Sequence, residues 1–359
     1  MANNNENKIL NVPNLRFPEF TREWEETKIG AVLSIGNGRD YKQLKSGNVP
    51  VFGTGGYMTS VDEYIYDGAT TFIGRKGTIN KPFYFNGKFW TVDTLFYTYK
   101  FNRITPEFTY CLFQTINWLT YNEASGVPSL SKATIEKIKI HIPSIAEQNK
   151  ISKLLFAIDE RIATQNKIIE DLKKLKSAIY QKLFSNMQGE EYSLSELAEI
   201  IKGQQINGSE LSESGKYYVM NGGIAPSGYY DNYNTEADTI SISEGGNSCG
   251  YVQYNTSKFW SGGHCYTLRI KPTAFIATQF LFNFLKWKEP DIMALRIGSG
   301  LPNIQKKDLS KVCIIVPTLD RQQQLITLLT TFQMKIENEE MYAANLGKQK
   351  QYLLRQIFI

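Results

Sequence analysis

The chain has 359 residues, 42% of them hydrophobic, with 40 Lys and Arg against 35 Asp and Glu and a formal net charge of +5. That is enough apolar material for two or three domains and excludes a disordered chain; the longest apolar runs (LFNFL, VCIIVP) are too short to cross a bilayer and the start has no leader pattern, so a cytoplasmic protein with no membrane partner is expected. Four cysteines without a CxxC spacing fit reduced core thiols rather than a disulfide frame or a zinc site, and two histidines exclude most histidine-based catalysis and metal binding.

Residues 1–144 mix short β-rich runs with Gly/Asn turns such as FGTGGY and YFNGKFW, and form a first domain. The stretch TFIGRKGTINKPFYF sets Arg75, Lys76 and Lys81 among glycines and aromatics. Glycine lets a backbone approach a phosphate or base edge closely and Arg can pair bidentately with guanine, although a solvated hairpin accounts for these residues equally well. NKPF, Asn80 to Phe83, is a turn; it lacks the first proline of an amino-methyltransferase signature.

Residues 145–189 read as one long amphipathic helix, capped by Pro143-Ser144 and closed at Gly189. Ile151, Leu155, Ile158, Ile162, Gln165, Ile169, Leu172, Lys176, Ile179 and Leu183 alternate steps of four and three without a break, which is a heptad seam. Residues 190–317 return to the first style as a second domain, with TISISEGGNSCG in the place of the basic stretch. The pair His264-Cys265 is the single nucleophile-like constellation, but neighbours on a strand point to opposite faces, and structure outweighs catalysis there. Residues 318–359 form a second long helix after Pro317-Thr318.

The second half repeats the first. SGVPSL (Ser125 to Leu130) recurs 174 positions later as SGLPNI (Ser299 to Ile304), each followed by a Lys and a run ending in IPS or VPT. Adding the same 174 to the first seam gives Leu325, Leu329, Phe332, Ile336, Glu339, Ala343, Leu346, Lys350, Leu353 and Ile357, apolar and polar at the same places. A stripe of about 36 residues, roughly 50–60 Å at 1.5 Å per residue, outruns the face of one domain, so the two seams are expected to pair with each other. An antiparallel pairing is expected, because domain ends lie close together and a parallel one would need the second domain to carry the chain back along the whole length. Ile151 should then approach Ile357 and Leu183 approach Leu325, with Lys176 and Lys350 reaching out to solvent. The fold class that follows is mixed α/β (α+β): two similar globular domains at opposite ends of a pair of long antiparallel helices, related by an internal pseudo-twofold.

Charge is uneven between the domains, with 16 basic against 13 acidic residues in 1–144 and 11 against 13 in 190–317. There is no HExxH or GxxxxGK[ST] motif. A non-catalytic binding protein fits these residues best, and a pseudo-symmetric protein-binding scaffold without DNA recognition is the alternative.

The opening LRFPEF…REWEE, the phrases SGVPSLSK and SGLPNIQK, the run IPSIAEQNKI and the terminal GKQKQYLLRQIF resemble the specificity subunit of Type I restriction-modification enzymes. The resemblance covers nearly the whole chain. It implies that each domain is a target recognition domain reading one half of a bipartite site in double-stranded DNA. The helices would be the conserved regions that hold the domains apart and dock two modification (methyltransferase) subunits, with restriction (motor/nuclease) subunits in the larger complex. It also implies no cofactor on this chain, since S-adenosylmethionine, ATP and Mg would sit on the partners. DNA contacts are then expected from Thr54, Tyr57, Arg75, Lys76 and Lys81 in the first domain and Asn221, Glu244, Asn247 and Ser248 in the second, where Glu can accept from cytosine and Asn can pair with adenine. The second domain is net acidic, so its phosphate contacts need a local patch, expected at Lys216, Lys258, Arg269 and Arg296. The Ser-Gly-x-Pro phrases are expected to turn the chain before the closing strand and to offer N–H groups to the DNA backbone.

Overall fold

The computed structural model describes residues 11–298 and 300–359. The chain divides into two compact units, Met1–Asn166 with Met341–Ile359, and Lys167–Glu340. In the first unit the elements are Glu25–Lys28 (β1), Ile29–Val32 (α1), Ser34–Asn37 (β2), Ser46–Gly53 (β3), Gly56–Val61 (β4), Tyr66–Gly74 (β5), Phe83–Thr91 (β6), Leu95–Tyr99 (β7), Pro106–Phe113 (α2), Lys132–Lys137 (α3) and Lys139–Ile142 (β8), leading into the long helix Ile145–Ser185 (α4). Strands β2-β7-β5-β6-β3-β4 form one six-stranded sheet, antiparallel except where β3 meets β6 at Val51↔Trp90 and Phe52↔Thr91. Strand β5 ends in an unbroken buried run, Thr70 to Gly74, as a central strand covered on both faces should. The α2 helix starts where Thr105 accepts from the Phe108 N–H with Pro106 at its first position, and it buries Phe108, Cys111, Leu112 and Phe113 against Trp24 and Trp118. Strand β1 pairs with β8 and so ties both ends of the domain together.

The second unit writes the same plan with Glu190–Ser193 (β9), Leu194–Leu197 (α5), Ala198–Lys202 (β10), Tyr217–Met220 (β11), Gly228–Tyr230 (β12), Thr239–Ser243 (β13), Val252–Asn255 (β14), Trp260–Ser261 (β15), Cys265–Ile270 (β16), Thr278–Trp287 (α6), Glu289–Ala294 (α7), Lys306–Leu309 (α8), Cys313–Val316 (β17) and Leu319–Ile357 (α9). Here the sheet is split into β10-β16-β13-β14 and β12-β11-β15, because two short strands, β14 and β15, stand where the first unit has the single strand β6. The parallel contact survives, at Val219↔Trp260. Strand β9 closes on β17 as β1 does on β8.

Both long helices contribute to both units. In the first, Ile151 and Leu155 near the start of α4 share a core with Leu354, Ile357 and Phe358 at the end of α9. In the second, Tyr180 and Phe184 near the end of α4, with Leu183 against them, share a core with Leu325, Ile326 and Leu329 near the start of α9. Start meets end in each unit, which is antiparallel pairing. All ten seam positions of each helix are buried or half-buried, including Ile158, Ile162, Leu172, Ile179, Phe332, Ile336, Leu346 and Leu353. The helices begin as the sequence indicates: the Ser144 hydroxyl accepts from the Glu147 N–H at 3.4 Å and the Thr318 hydroxyl from the Arg321 N–H at 3.4 Å.

Three details differ from expectation. Helix α4 stops at Ser185, and Gly189 is not its cap: a Cβ there would lie 2.4 Å from the Val316 carbonyl oxygen, so glycine is required by close approach to β17. Lys350 does not reach solvent; its ammonium is buried, donating to Gln114 Oε1 at 2.6 Å and paired with Asp159 Oδ1 at 2.5 Å. Lys176 is half-buried and donates to Gln333 Oε1 at 2.6 Å, and burial followed by the nearby Lys286 charge lowers its pKa. A seam lysine in this chain finds a polar partner instead of stretching past its neighbours.

One glutamine per unit locks the domain to its helix. Gln148 donates to the carbonyls of Arg103 and Pro143, both at 2.9 Å, and accepts from the Thr105 N–H at 2.9 Å. Gln322, 174 positions on, donates to Phe275 at 3.0 Å and Pro317 at 2.9 Å and accepts from the Ala277 N–H at 2.8 Å. The first unit adds an anchor of its own: Arg16 grips Glu147 with two bonds of 2.7 and 2.8 Å, and the Trp24 indole donates to the same carboxylate at 3.3 Å. The second unit has Arg321 at the place of Glu147.

Candidate nucleic-acid interface

In each unit a loop following a central strand is pinned by the Ser-Gly-x-Pro phrase. Where β5 ends, the Arg75 N–H donates to the Thr94 carbonyl at 2.8 Å, the Gly77 N–H donates to Pro128 at 2.9 Å, and the Leu130 N–H returns to the Arg75 carbonyl at 2.9 Å. Where β13 ends, the Glu244 N–H donates to His264 at 2.9 Å, the Gly246 N–H to Pro302 at 3.0 Å, and the Ile304 N–H to the Glu244 carbonyl at 2.9 Å. Lys76 bridges to Ser129 as Gly245 bridges to Asn303. Gly77 and Gly246 have φ of +85° and +80°, a left-handed turn that glycine adopts without strain. The repeated phrase is therefore a brace for the loop that follows the strand. A short helix, α3 or α8, separates it from the closing strand, and Ser299 lies outside the described residues.

The two frames carry different side chains. In the first unit Arg75, Lys76 and Lys81 are exposed; the Arg75 guanidinium touches the Asp93 carbonyl at 3.4 Å and lies 5.9 Å from the Phe96 ring, and Lys76 and Lys81 have no side-chain hydrogen bond or ion pair among the described residues. Tyr57 is 64% exposed and shares a hydrogen bond with Ser60, and half-buried Thr54 sits beside Gly77, its hydroxyl oxygen 3.9 Å from where a Cβ on that glycine would be. The structure thus brings Thr54, Arg75 and Lys76 to one loop cluster.

In the second unit Glu244 is only 9% exposed. Its Oε1 accepts from Lys202 at 2.7 Å and from the Tyr266 hydroxyl at 2.9 Å, and its Oε2, without a hydrogen bond, lies 3.8 Å from His264 Nδ1. Glu244 anchors its loop rather than presenting a carboxylate to a base. Asn221 is likewise turned inward, its Oδ1 accepting from the His264 N–H at 3.1 Å, and Ser248 is half-buried with its carbonyl holding the Tyr251 N–H. Asn247 is exposed. Of the expected basic patch, Lys258 is paired with Glu236 at 2.9 Å and Arg269 with Glu199 at 3.4 Å, which leaves Lys216 and Arg296. Such pairings join residues distant in sequence or across strands, so residue counting could not find them.

The His264-Cys265 pair is not arranged for nucleophilic catalysis. Burial pushes the Cys265 thiol up to about 11, away from nucleophilic thiolate, while His264 faces outward beside it. Among the described residues no group of His, Cys, Asp and Glu is placed to hold a metal ion, and no helix is long and apolar enough to cross a membrane.

Comparison with known proteins bears on the duplicated frame. A putative type I specificity subunit of Mycoplasma pneumoniae is 34% identical over 158 residues, covering 44% of this chain and 42% of that protein. One from Mycoplasma genitalium is 30% identical over 158 residues, covering 44% of this chain and 41% of that protein. These matches span less than half of either relative. Over most of its length the chain superposes on the crystal structure of a Type-I restriction-modification S subunit from M. genitalium, with a TM-score of 0.70, 20% identity and coverage of 97% and 99% of the two chains. The model of the Type I restriction modification DNA specificity domain matches twice, at residues 21–174 and 187–345, once over each braced loop and its helix, and the chain belongs to that family.

Proposed function

We propose that this chain is the DNA-reading subunit of a Type I restriction-modification complex, with each unit recognising one half of a bipartite site. The observation that carries the reading is the pair of braced loops: the same backbone hydrogen bonds hold a basic, exposed set in one unit and a largely neutral set in the other. A frame used twice with different side chains suits two different half-sites. In the first unit, Arg75, Lys76 and Lys81 supply phosphate and guanine contacts, with Thr54 and Tyr57 beside them; in the second, Asn247 reads a base edge, and Lys216 and Arg296 meet phosphate.

The helices dock two copies of one modification subunit. Exposed apolar residues recur at the 174-residue interval, Ile145 with Leu319 and Leu154 with Leu328, which presents one surface twice. S-adenosylmethionine, ATP and Mg belong to the partner subunits, which carry out methylation and cleavage, and this chain has no activity alone.

Coexpression with the cognate modification subunit, followed by mapping of methylated adenines, tests the reading. Replacing residues 190–317 by the equivalent domain of a relative should change one half of the mapped site and neither the other half nor the spacer. Removing one heptad from both helices should change the spacer alone. A scaffold without DNA recognition would give no mapped sequence and no gel shift.

A further inference from the structure

The brace has a tip that the proposed reading does not use. In S-G-x-P the variable residue is Val127 in one unit and Leu301 in the other, 174 positions apart. They are 66% and 84% exposed, among the most exposed large apolar side chains described. The glycine before each, Gly126 and Gly300, has nothing within 4 Å of where a Cβ would be, so the tips stand clear of their own units. Yet each is flanked from below by backbone hydrogen bonds. The Glu123 N–H donates to Ser129 at 3.0 Å just as the Ile297 N–H donates to Asn303 at 2.8 Å, and the prolines that follow accept from Gly77 and Gly246.

We propose that Val127 and Leu301 are apolar wedges that enter the duplex, one in each half-site, at the base step beside the adenine to be methylated. The proposal rests on the recognition reading above. Three observations carry it further. One exposed aliphatic side chain on a surface is ordinary, but here it recurs at the tip of the same brace in both units, at matched positions. The side chains around the two tips differ, Arg75 and Lys76 against Glu244 and Gly245, so a feature common to both serves something the half-sites share rather than their sequences. Cations stand on the strands that brace the tips, Arg75 and Lys76 at one and Arg296, next to Ile297, at the other, which favours a phosphate-bearing partner over an apolar protein face. Enzymes that act on a base must take it out of the stack, and apolar side chains inserted between base steps are a recurrent way to hold a duplex open.

The test uses the chain assembled with its modification subunits and a duplex carrying the mapped site, with 2-aminopurine in place of the target adenine of either half. Wild type should raise 2-aminopurine fluorescence in both halves. Leu301→Ser should abolish the rise in the second half only and Val127→Ser in the first only, each weakening binding about tenfold, the scale of one lost buried aliphatic side chain, with the recognised sequence unchanged. Leu301→Met should restore the signal. Unaltered fluorescence and affinity in both serine variants would overturn the wedge, as would loss of assembly with the modification subunit, which would place the tips on protein. Failure of the wild type to bind the duplex would instead remove the recognition reading, and the wedge with it.

Discussion

In the first unit the position after β5 sends Arg75 and Lys76 into solvent; in the second the same position holds Glu244, buried under Lys202 and Tyr266. The main-chain hydrogen bonds around the two positions agree to within a few tenths of an ångström. A backbone frame that tolerates a free arginine and a buried glutamate at one position does not depend on that side chain for its shape. The Ser-Gly-x-Pro brace and the glutamine lock carry the frame, which releases the loop to vary.

The comparison breaks most severely if the lock is removed. Gln148→Ala and Gln322→Ala each leave an N–H and two carbonyls of the domain junction without partners, and each should destabilise its own unit by about 4 kcal/mol, read from urea unfolding with hydrogen exchange to assign the unit. Equal losses are expected; a large loss in one unit alone would show that the two locks are not equivalent.

The seam lysines should behave differently. Lys350→Met strips Asp159 of its cation and Gln114 of its donor in a buried setting and should cost about 3 kcal/mol. Lys176→Met removes a half-buried charge whose partner is neutral, and stability should change by less than about 1 kcal/mol. The pH dependence distinguishes them further. The folded-state pKa of Lys176 lies below its ordinary 10.5, so its charge disfavours the fold at lower pH, and stability is regained as pH rises through the lowered pKa toward 10.5. Lys176→Met should erase that rise.

The smallest effects fall on DNA. Lys76→Ala and Lys81→Ala should each weaken binding several-fold and reduce the salt slope by about 1, whereas Asn247→Ala should leave the slope untouched and relax one base position in the other half-site. Equal salt slopes for all three variants would erase the distinction between the units.

Much of the fold was legible because it is periodic. The heptad steps and the 174-residue offset mark the helices and their starts, since burial along a helix repeats with its turn, and the closeness of domain ends gives their antiparallel pairing; the first helix's end at Ser185 is not marked, because Gly189 answers to a close approach of β17. The candidate site was legible only in part. Arg75 and Lys76 are exposed on the loop, but Glu244 is engaged by Lys202 and Tyr266, 42 and 22 positions away, and Lys350 by Gln114 and Asp159. Each of these pairings comes from strand order or helix packing, and neither is encoded in local spacing. Val127 and Leu301 were marked by the repeat, but their exposure depends on a brace visible only once the loops are folded.

The glutamine lock asks almost nothing of the domain it holds. Four of its six bonds are accepted by backbone carbonyls, and the other two come from backbone N–H groups, so no side chain of the domain has to match the helix. It works as a socket for a peptide backbone rather than for a particular sequence. On the proposed reading, this part of the joint would survive an exchange of the segment between the two sockets without a matching change in either glutamine.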